Sequence, residues 1–383
     1  MTPDLPDTTN VLVVGAGPAG LTVALALRAR GRDVTIVDKL EEGGNESRAA
    51  VVYPGTLEIL DPYGVAERLA AKGIKTARFT IRDRDRILTP VPFHNLRTRF
   101  PYALLVSQAV TESVLLERLK DLGGRVLRPY TATQLTQDTD YATVRFSNGE
   151  QVRAKYVVGA DGVHSTIREQ AKIRFTYTGE EASYALADVH STGGVPDNEL
   201  VVYFSPAGHL VVLPLPDRLH RIVGHVDKAP EHPDAPFLQR LLDDRGPERE
   251  RTAIRDVTWG SRFLTHHAIA DKYRAGRIIL AGDAAHVHSP LGGQGMNLGI
   301  HDAIALAPAL SSALGDGSVT SLDDYARTQR RIAKQVIWIT DLLTRNATLG
   351  GPARAIRNGV LRTLSPIIRR SLSWRLSLLY LRF

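Results

Sequence analysis

The residues best suited to chemistry begin with a glycine-spaced loop. Gly15-Ala16-Gly17-Pro18-Ala19-Gly20 follows the apolar run Val11–Val14 and opens Ala19–Arg30, a stretch of small and aliphatic residues. This is G-x-G-x-x-G between a strand and a helix. Gly15 permits the tight turn, Gly17 lets the backbone approach a pyrophosphate, and Gly20 lets the helix pack on the sheet. The helix N-terminus adds amide donors and a positive dipole. Gly31 ends the helix, and DVTIVD (33–38) is β-branched in the manner of a buried parallel strand. It closes on Asp38, followed by Lys39. A carboxylate about 20 residues beyond the loop accepts hydrogen bonds from an adenosine ribose. The loop therefore predicts a bound dinucleotide, without separating NAD from FAD.

Two further runs make that separation. VVGADGVHSTIR (157–168) is a strand entering a Gly-Ala-Asp-Gly turn and a helix, and GRIILAGDAAHVHSPLGGQGMNLGIHDA (276–303) repeats the strand, turn and helix. With the first loop, these segments resemble the class A flavoprotein monooxygenases, the para-hydroxybenzoate hydroxylase-like family that includes polyketide, phenol and ubiquinone-pathway hydroxylases. The resemblance covers the chain to about residue 330 and implies FAD, bound non-covalently. Asp38 would hold the ribose, with Gly15 to Gly20 around the pyrophosphate. Arg48 matches the arginine that reaches the flavin nucleotide, and Gln108 the glutamine near the ribityl chain. Ala132 would lend its backbone to the adenine. Asp161, followed by Gly162, matches the acid tied to both FAD and NADPH, and Asp283 the acid that bonds the ribityl hydroxyls. Pro290, Gly293, Gly295, Met296 and Asn297 would border the isoalloxazine. A helix N-terminus there stabilises the charge on N1 and the C2 oxygen of the reduced flavin.

The activity that the resemblance implies is hydroxylation of an aromatic or polyketide-like substrate with NAD(P)H and O2, through a flavin C4a-hydroperoxide. The alternative is a reductase or dehydrogenase of the same fold that does not activate oxygen. No catalytic acid or base is assigned, because the cofactor carries the hard chemistry. A halogenase is disfavoured, since Trp259, Trp338 and Trp374 lie far apart rather than in a Trp-x-Trp segment. His286 and His288 lack a third ligand, so no metal is expected. NADPH and NADH are both open as co-substrate, with no second G-x-G-x-x-G to bind them. Gly55 stands where relatives often carry a basic residue, and Pro308 predicts a kink in the helix after Asp302.

Several elements must position these residues. The fold class expected is α/β: a Rossmann-like FAD-binding domain, an inserted antiparallel β-sheet substrate domain and C-terminal helices. The FAD-binding domain is discontinuous (1–76, 107–178 and 272–325), the β-rich domain takes 77–106 and 179–271, and the helical segment 326–383. Ser107–Leu122 reads as an amphipathic helix, and RVLRP, TATQL, ATVRF and KYVV as a meander. The inserted sheet roofs the substrate, with Tyr203, His209 and His225 as candidate polar contacts. The run 82–86 (RDRDR) reads as a solvated hairpin edge.

Composition bounds the rest. The 383 residues are 43% hydrophobic and 23% charged, as in a globular protein. The absence of cysteine excludes disulfides, iron–sulfur clusters and thiol chemistry, and a reducing cytoplasm is the expected location. From Asp341 onward there are eight arginines, one acid and no lysine, so this segment holds the whole net charge of +7. That position argues against nucleic acid as a partner. Packing of the segment on its own chain is favoured over contact with a membrane surface.

Overall fold

The computed structural model describes residues 5–43 and 49–381, without side chains at 178–180. A parallel sheet forms around the strand Thr8–Val14, which is flanked by Thr35–Val37 on one side and Gln151–Gly159 on the other. Ile278–Leu280 continues the parallel order beyond Gln151–Gly159, and Val126–Leu127 beyond Thr35–Val37. Their inner stretches, Val11–Val14, Tyr156–Gly159 and Ile278–Leu280, are apolar and buried because both faces are covered. The helices Pro18–Arg28, Gln108–Asp121 and Gly295–Asp316 contribute to one core, which includes Leu21, Leu25, Leu115, Ile300 and Leu306. Gly295–Asp316 is long and apolar enough to cross a membrane, but most of that stretch is buried inside the fold. It continues past Pro308 for eight further residues, so the proline does not end the helix.

The meander is narrower than the sequence suggests. Ala132–Gln137, Ala142–Phe146 and Gln151–Gly159 pair antiparallel in succession. The segment RVLRP does not join them, because Val126–Leu127 pairs with Thr35–Val37 at the far edge of the parallel sheet.

A second, eight-stranded sheet stands apart from the first. Its spine is two 18-residue strands, Phe175–Thr192 and Ala253–Ala270, paired antiparallel with bulges. Leu219–Val226, Leu210–Leu215 and Leu200–Tyr203 follow outward, and Phe79–Asp83 with Arg86–Pro90 closes the edge. Three short strands, Val51–Val52, Ala103–Leu105 and Ile74–Thr76, make a small third sheet. Within the β-rich part lies a helix, Ala235–Arg245, capped by Asp234 and not foreseen in the sequence.

Residues 82–86 are not a solvated edge. Asp83 is buried and takes a two-pronged ion pair from Arg354 together with an Asn358 amide. Burial alone would raise its pKa, but these donors and the nearby Arg357 hold it below the usual carboxylate range. Arg82 pairs with Glu199, and Asp85 accepts the backbone N–H of Glu248 and Arg249. The hairpin thus anchors the C-terminal helices Gly351–Thr363 and Ser365–Leu376, and Thr89 bonds Ser365 nearby.

Candidate active site

The first glycine loop is built by steric need. Gly15 has φ +103°, and a Cβ there would sit 2.3 Å from the Ala160 carbonyl oxygen. A Cβ on Gly20 would meet the Gly15 carbonyl oxygen at 1.9 Å, so the third glycine lets the helix close onto the loop itself. Gly17 differs: nothing lies within 4 Å of its Cβ position, and it lines a cavity. The helix Pro18–Arg28 starts there without a side-chain cap, leaving its first N–H groups for a ligand.

Asp38 is already engaged by the protein. Its carboxylate accepts the N–H of Ala16 at 2.6 Å and of Leu40 at 2.9 Å, and pairs with Arg128 at 3.1 Å. The acid therefore shapes the loop. Arg128 escaped the sequence, since only the pairing of Val126–Leu127 with Thr35–Val37 brings it to Asp38. Lys39 follows on the surface. Ala132 begins its meander strand opposite Phe146. Arg48 lies outside the described residues.

The cavity has a volume of about 590 Å³. It runs from Gly17, Pro18 and Ala19, past Gln108, Gly162 and Asp283, to the turn of Pro290, Gly293, Gly295 and Met296. Gln108 accepts the N–H of Ala49 and donates to Glu112. The Asp283 side chain is exposed, carried by the short turn Gly282–Ala284. Two assigned residues stand back from the wall. Asp161 is half-buried and accepts the Ser165 hydroxyl and the Ile167 N–H at 3.1 Å, which fixes the helix Thr166–Gln170, while Gly162 beside it lines the cavity. Burial raises the Asp161 pKa against these hydrogen bonds. Asn297 is a clamp: it accepts from Tyr53 N–H and donates to the carbonyls of Val51 and Gly293.

The helix Gly295–Asp316 begins at this turn without a side-chain cap and with no acid in its first turn. Gly292 and Gly293 take positive φ, and Tyr53 donates to the Gly292 carbonyl at 2.6 Å. Beneath Asp283, His286 Nε2 and Asp302 Oδ2 pair at 2.6 Å with both side chains fully buried, and Asp302 also accepts the Gly282 N–H. Burial alone would lower the His286 pKa, but the charge and hydrogen bond of Asp302, with Asp283 beyond, raise it. His288 behaves oppositely. Its Nδ1 donates to the Ser289 carbonyl, Nε2 is buried without a partner, and burial pushes its pKa down to about 4. No group of three metal ligands occurs among the described residues.

The second sheet supplies the opposite wall with Phe79, Leu200, Val202, Val211, Leu213, Val223 and Phe263. Strand alternation decides which side chains face it. Leu200 and Val202 line the cavity, whereas Tyr203 packs with Val201 in a separate core on the far face. His209 and His225 stack on each other at 5.4 Å, against Tyr184. None of Tyr203, His209 and His225 lines the cavity, so their expected substrate contact is corrected. The cation on this wall is Arg221, fully buried, held by both oxygens of Asp188 at 2.7 Å and donating to the Ala49 carbonyl. The pair needs the cross-strand register of Asp188 with Arg221.

An open glycine, two uncapped helix N-termini and an exposed carboxylate on one elongated cavity fit a flavin dinucleotide. The FAD binding domain family matches residues 8–340. The chain belongs to this family. An aromatic compound monooxygenase of Bacillus subtilis, itself uncharacterised, is 32% identical over 98% of this chain and 76% of its own length. A 12-dehydrotetracycline 5-monooxygenase/anhydrotetracycline 6-monooxygenase of Streptomyces rimosus is 33% identical over 86% of this chain and 68% of its own. The crystal structure of p-nitrophenol 4-monooxygenase from Pseudomonas putida superposes with a TM-score of 0.85, at 26% identity, over 97% of this chain and 99% of that one. The protein is an FAD-dependent monooxygenase with the α/β fold of that family.

Asp283 offers the most direct check on how this enzyme holds FAD. An exposed carboxylate facing the cavity makes charge-assisted hydrogen bonds, each worth roughly 1.5–3 kcal/mol. Asp283→Ala should therefore weaken FAD binding about ten- to a hundredfold in a fluorescence titration. Unchanged affinity would mean that the acid serves the turn alone.

Proposed function

We propose that this monooxygenase hydroxylates an uncharged, largely apolar aromatic or polyketide-like ring, using NAD(P)H and O2 in the cytoplasm. The observation that carries the substrate class is the sheet wall of the cavity. It is mainly aliphatic and aromatic; its arginine, Arg221, is already neutralised by Asp188, and its His266 is paired with Glu181. A substrate carboxylate would enter without a free partner and lose its hydration.

FAD fits the site, and when bound it supplies the oxygen activation and accepts the reducing equivalents. The chain does the rest. The N–H groups at the starts of Pro18–Arg28 and Gly295–Asp316 would face the pyrophosphate and the pyrimidine edge of the flavin, and Asp283 the ribityl hydroxyls. Asn297 and Tyr53 hold the Pro290–Gly293 turn in place. The apolar wall excludes water from the ring, and His288, whose pKa burial pushes down to about 4, stays neutral near pH 7.

The deciding experiment supplies NADPH and phenols under ¹⁸O-labelled dioxygen. The expected result is substrate-stimulated NADPH consumption with label in the product. Oxidation of NADPH without labelled product, across a broad phenol panel, would favour the reductase reading. Acid precipitation should release the flavin as free FAD. Within one ring scaffold, a carboxylated analogue should show kcat/KM at least about tenfold below its methyl ester, the cost of an unpaired buried charge. Preference for the acid would overturn the substrate class.

A further inference from the structure

The C-terminal segment has two surfaces, and only one is used within the chain. The inner surface ends in Leu376, Leu378, Leu379 and Leu381, all buried. The outer surface belongs to the helices Gly351–Thr363 and Ser365–Leu376, in which only Arg357, Ser373 and Leu376 are buried. Helices of 13 and 12 residues are too short to be stable on propensity alone. On their outer side Ile356, Val360 and Leu364 recur every fourth residue, and Ile367 and Trp374 stand two turns apart on the second helix. Ile356 is 68% and Ile367 73% exposed, unusual for isoleucine on a folded chain.

Charge decides what covers this face. Arg362, Arg369 and Arg370 are exposed and form no ion pair among the described residues. No acid follows Asp341 in the sequence. A second copy docked through the same patch would set arginine against arginine, a like-charge contact. An exposed apolar stripe with a tryptophan, flanked by Arg370 and carried on helices whose other exposed arginines are long enough to reach headgroups, matches the interface of a bilayer that carries negative headgroups.

We infer that the outer face of Gly351–Leu376 docks the enzyme on the surface of an anionic phospholipid bilayer. The helices lie in the interface plane: Ile356, Val360, Leu364, Ile367 and Trp374 enter the acyl boundary, and the arginines meet headgroup phosphates. The inner surface keeps the segment fixed to the enzyme, so the cavity stays assembled while docked.

The test uses the full-length, FAD-loaded protein in co-sedimentation with vesicles. Binding is expected to vesicles of phosphatidylcholine mixed with phosphatidylglycerol, but not to phosphatidylcholine alone, and it should fall as salt rises. Each arginine near such a surface contributes about fivefold, so R362Q/R369Q/R370Q should lower partitioning roughly a hundredfold. Ile367→Ser with Trp374→Ser should lower it as well, and both variants should retain FAD and solution turnover. The inference is overturned by absence of vesicle binding, by equal binding to both lipid compositions, or by binding that the arginine variant leaves intact. A stable dimer by light scattering that ignores vesicles would assign the face to a second copy instead.

Discussion

Asp302→Ala should destabilise the enzyme by about 3–5 kcal/mol and strip much of its flavin, the scale expected when one partner of a buried ion pair is removed. His286 and Asp302 have no solvent exposure, and Asp302 also accepts the Gly282 N–H, one residue before Asp283. Removing the carboxylate leaves a buried imidazole and a buried amide unpaired and loosens the turn that presents Asp283. The pH dependence carries a sign. The folded-state pKa of His286 is raised, so its contribution is fully present below the unfolded value of about 6.5 and is lost as pH rises through the higher folded value. In Asp302→Ala burial outweighs the remaining charge of Asp283 and lowers the His286 pKa. The imidazole then destabilises the fold progressively as pH falls below about 6.5. Melting temperature and flavin content measured between about pH 6 and 8 check both signs. Wild-type melting by Asp302→Ala across that range would show the pair to be energetically idle. Replacing both residues by leucine should cost less than the single change, because no polar group is then stranded.

The parts of the fold and site that were legible in the sequence are those that local chemistry dictates. Val11–Val14, Val157–Gly159 and Ile278–Leu280 are continuous apolar runs because both faces of their sheet are covered. Gly15 and Gly20 were legible because each has a steric reason that no other residue meets. What failed depends on register or distance. Arg221 and Asp188 lie 33 residues apart and meet only through strand pairing. Asp83 looked solvated beside four other charges, yet its partners are 271 or more positions away. The strand Ala253–Ala270 is mostly half-exposed along its length and shows no clean alternation to read. The helix Ala235–Arg245 did leave a signal, Asp234 and Pro236 before Leu238, Leu241 and Leu242, but strand-like sequence on both sides masked it.

The C-terminus shows how a departure from the family pattern can come from such a distant contact. Gly55, where the sequence resemblance implies a basic residue, donates its N–H to the Ser377 carbonyl at 2.8 Å, and a Cβ there would lie 2.7 Å from the same oxygen. The last residues therefore pass directly over the helix Pro54–Leu60, and any side chain at position 55 would push them off. Leu376 reaches within 3.6 Å of the Cβ position of Gly292, in the turn that lines the cavity. Leu376, Leu378, Leu379 and Leu381 are at most 5% exposed. At about 1.5–3 kcal/mol per buried leucine, the four contribute up to about 6–12 kcal/mol, an amount comparable with the whole stability of many proteins. Deletion from Asp341, or from Leu376 alone, should therefore yield aggregated protein poor in FAD. The arginine variants of the outer face should keep both solubility and flavin, because they leave the leucines in place. Size-exclusion chromatography with the flavin-to-protein absorbance ratio separates these outcomes. A chain ending at Arg375 that remains monodisperse and fully flavinated would show that the leucines cover a surface the fold does not need. The origin of the glycine at position 55 would then have to be sought elsewhere than in the packing of the C-terminus.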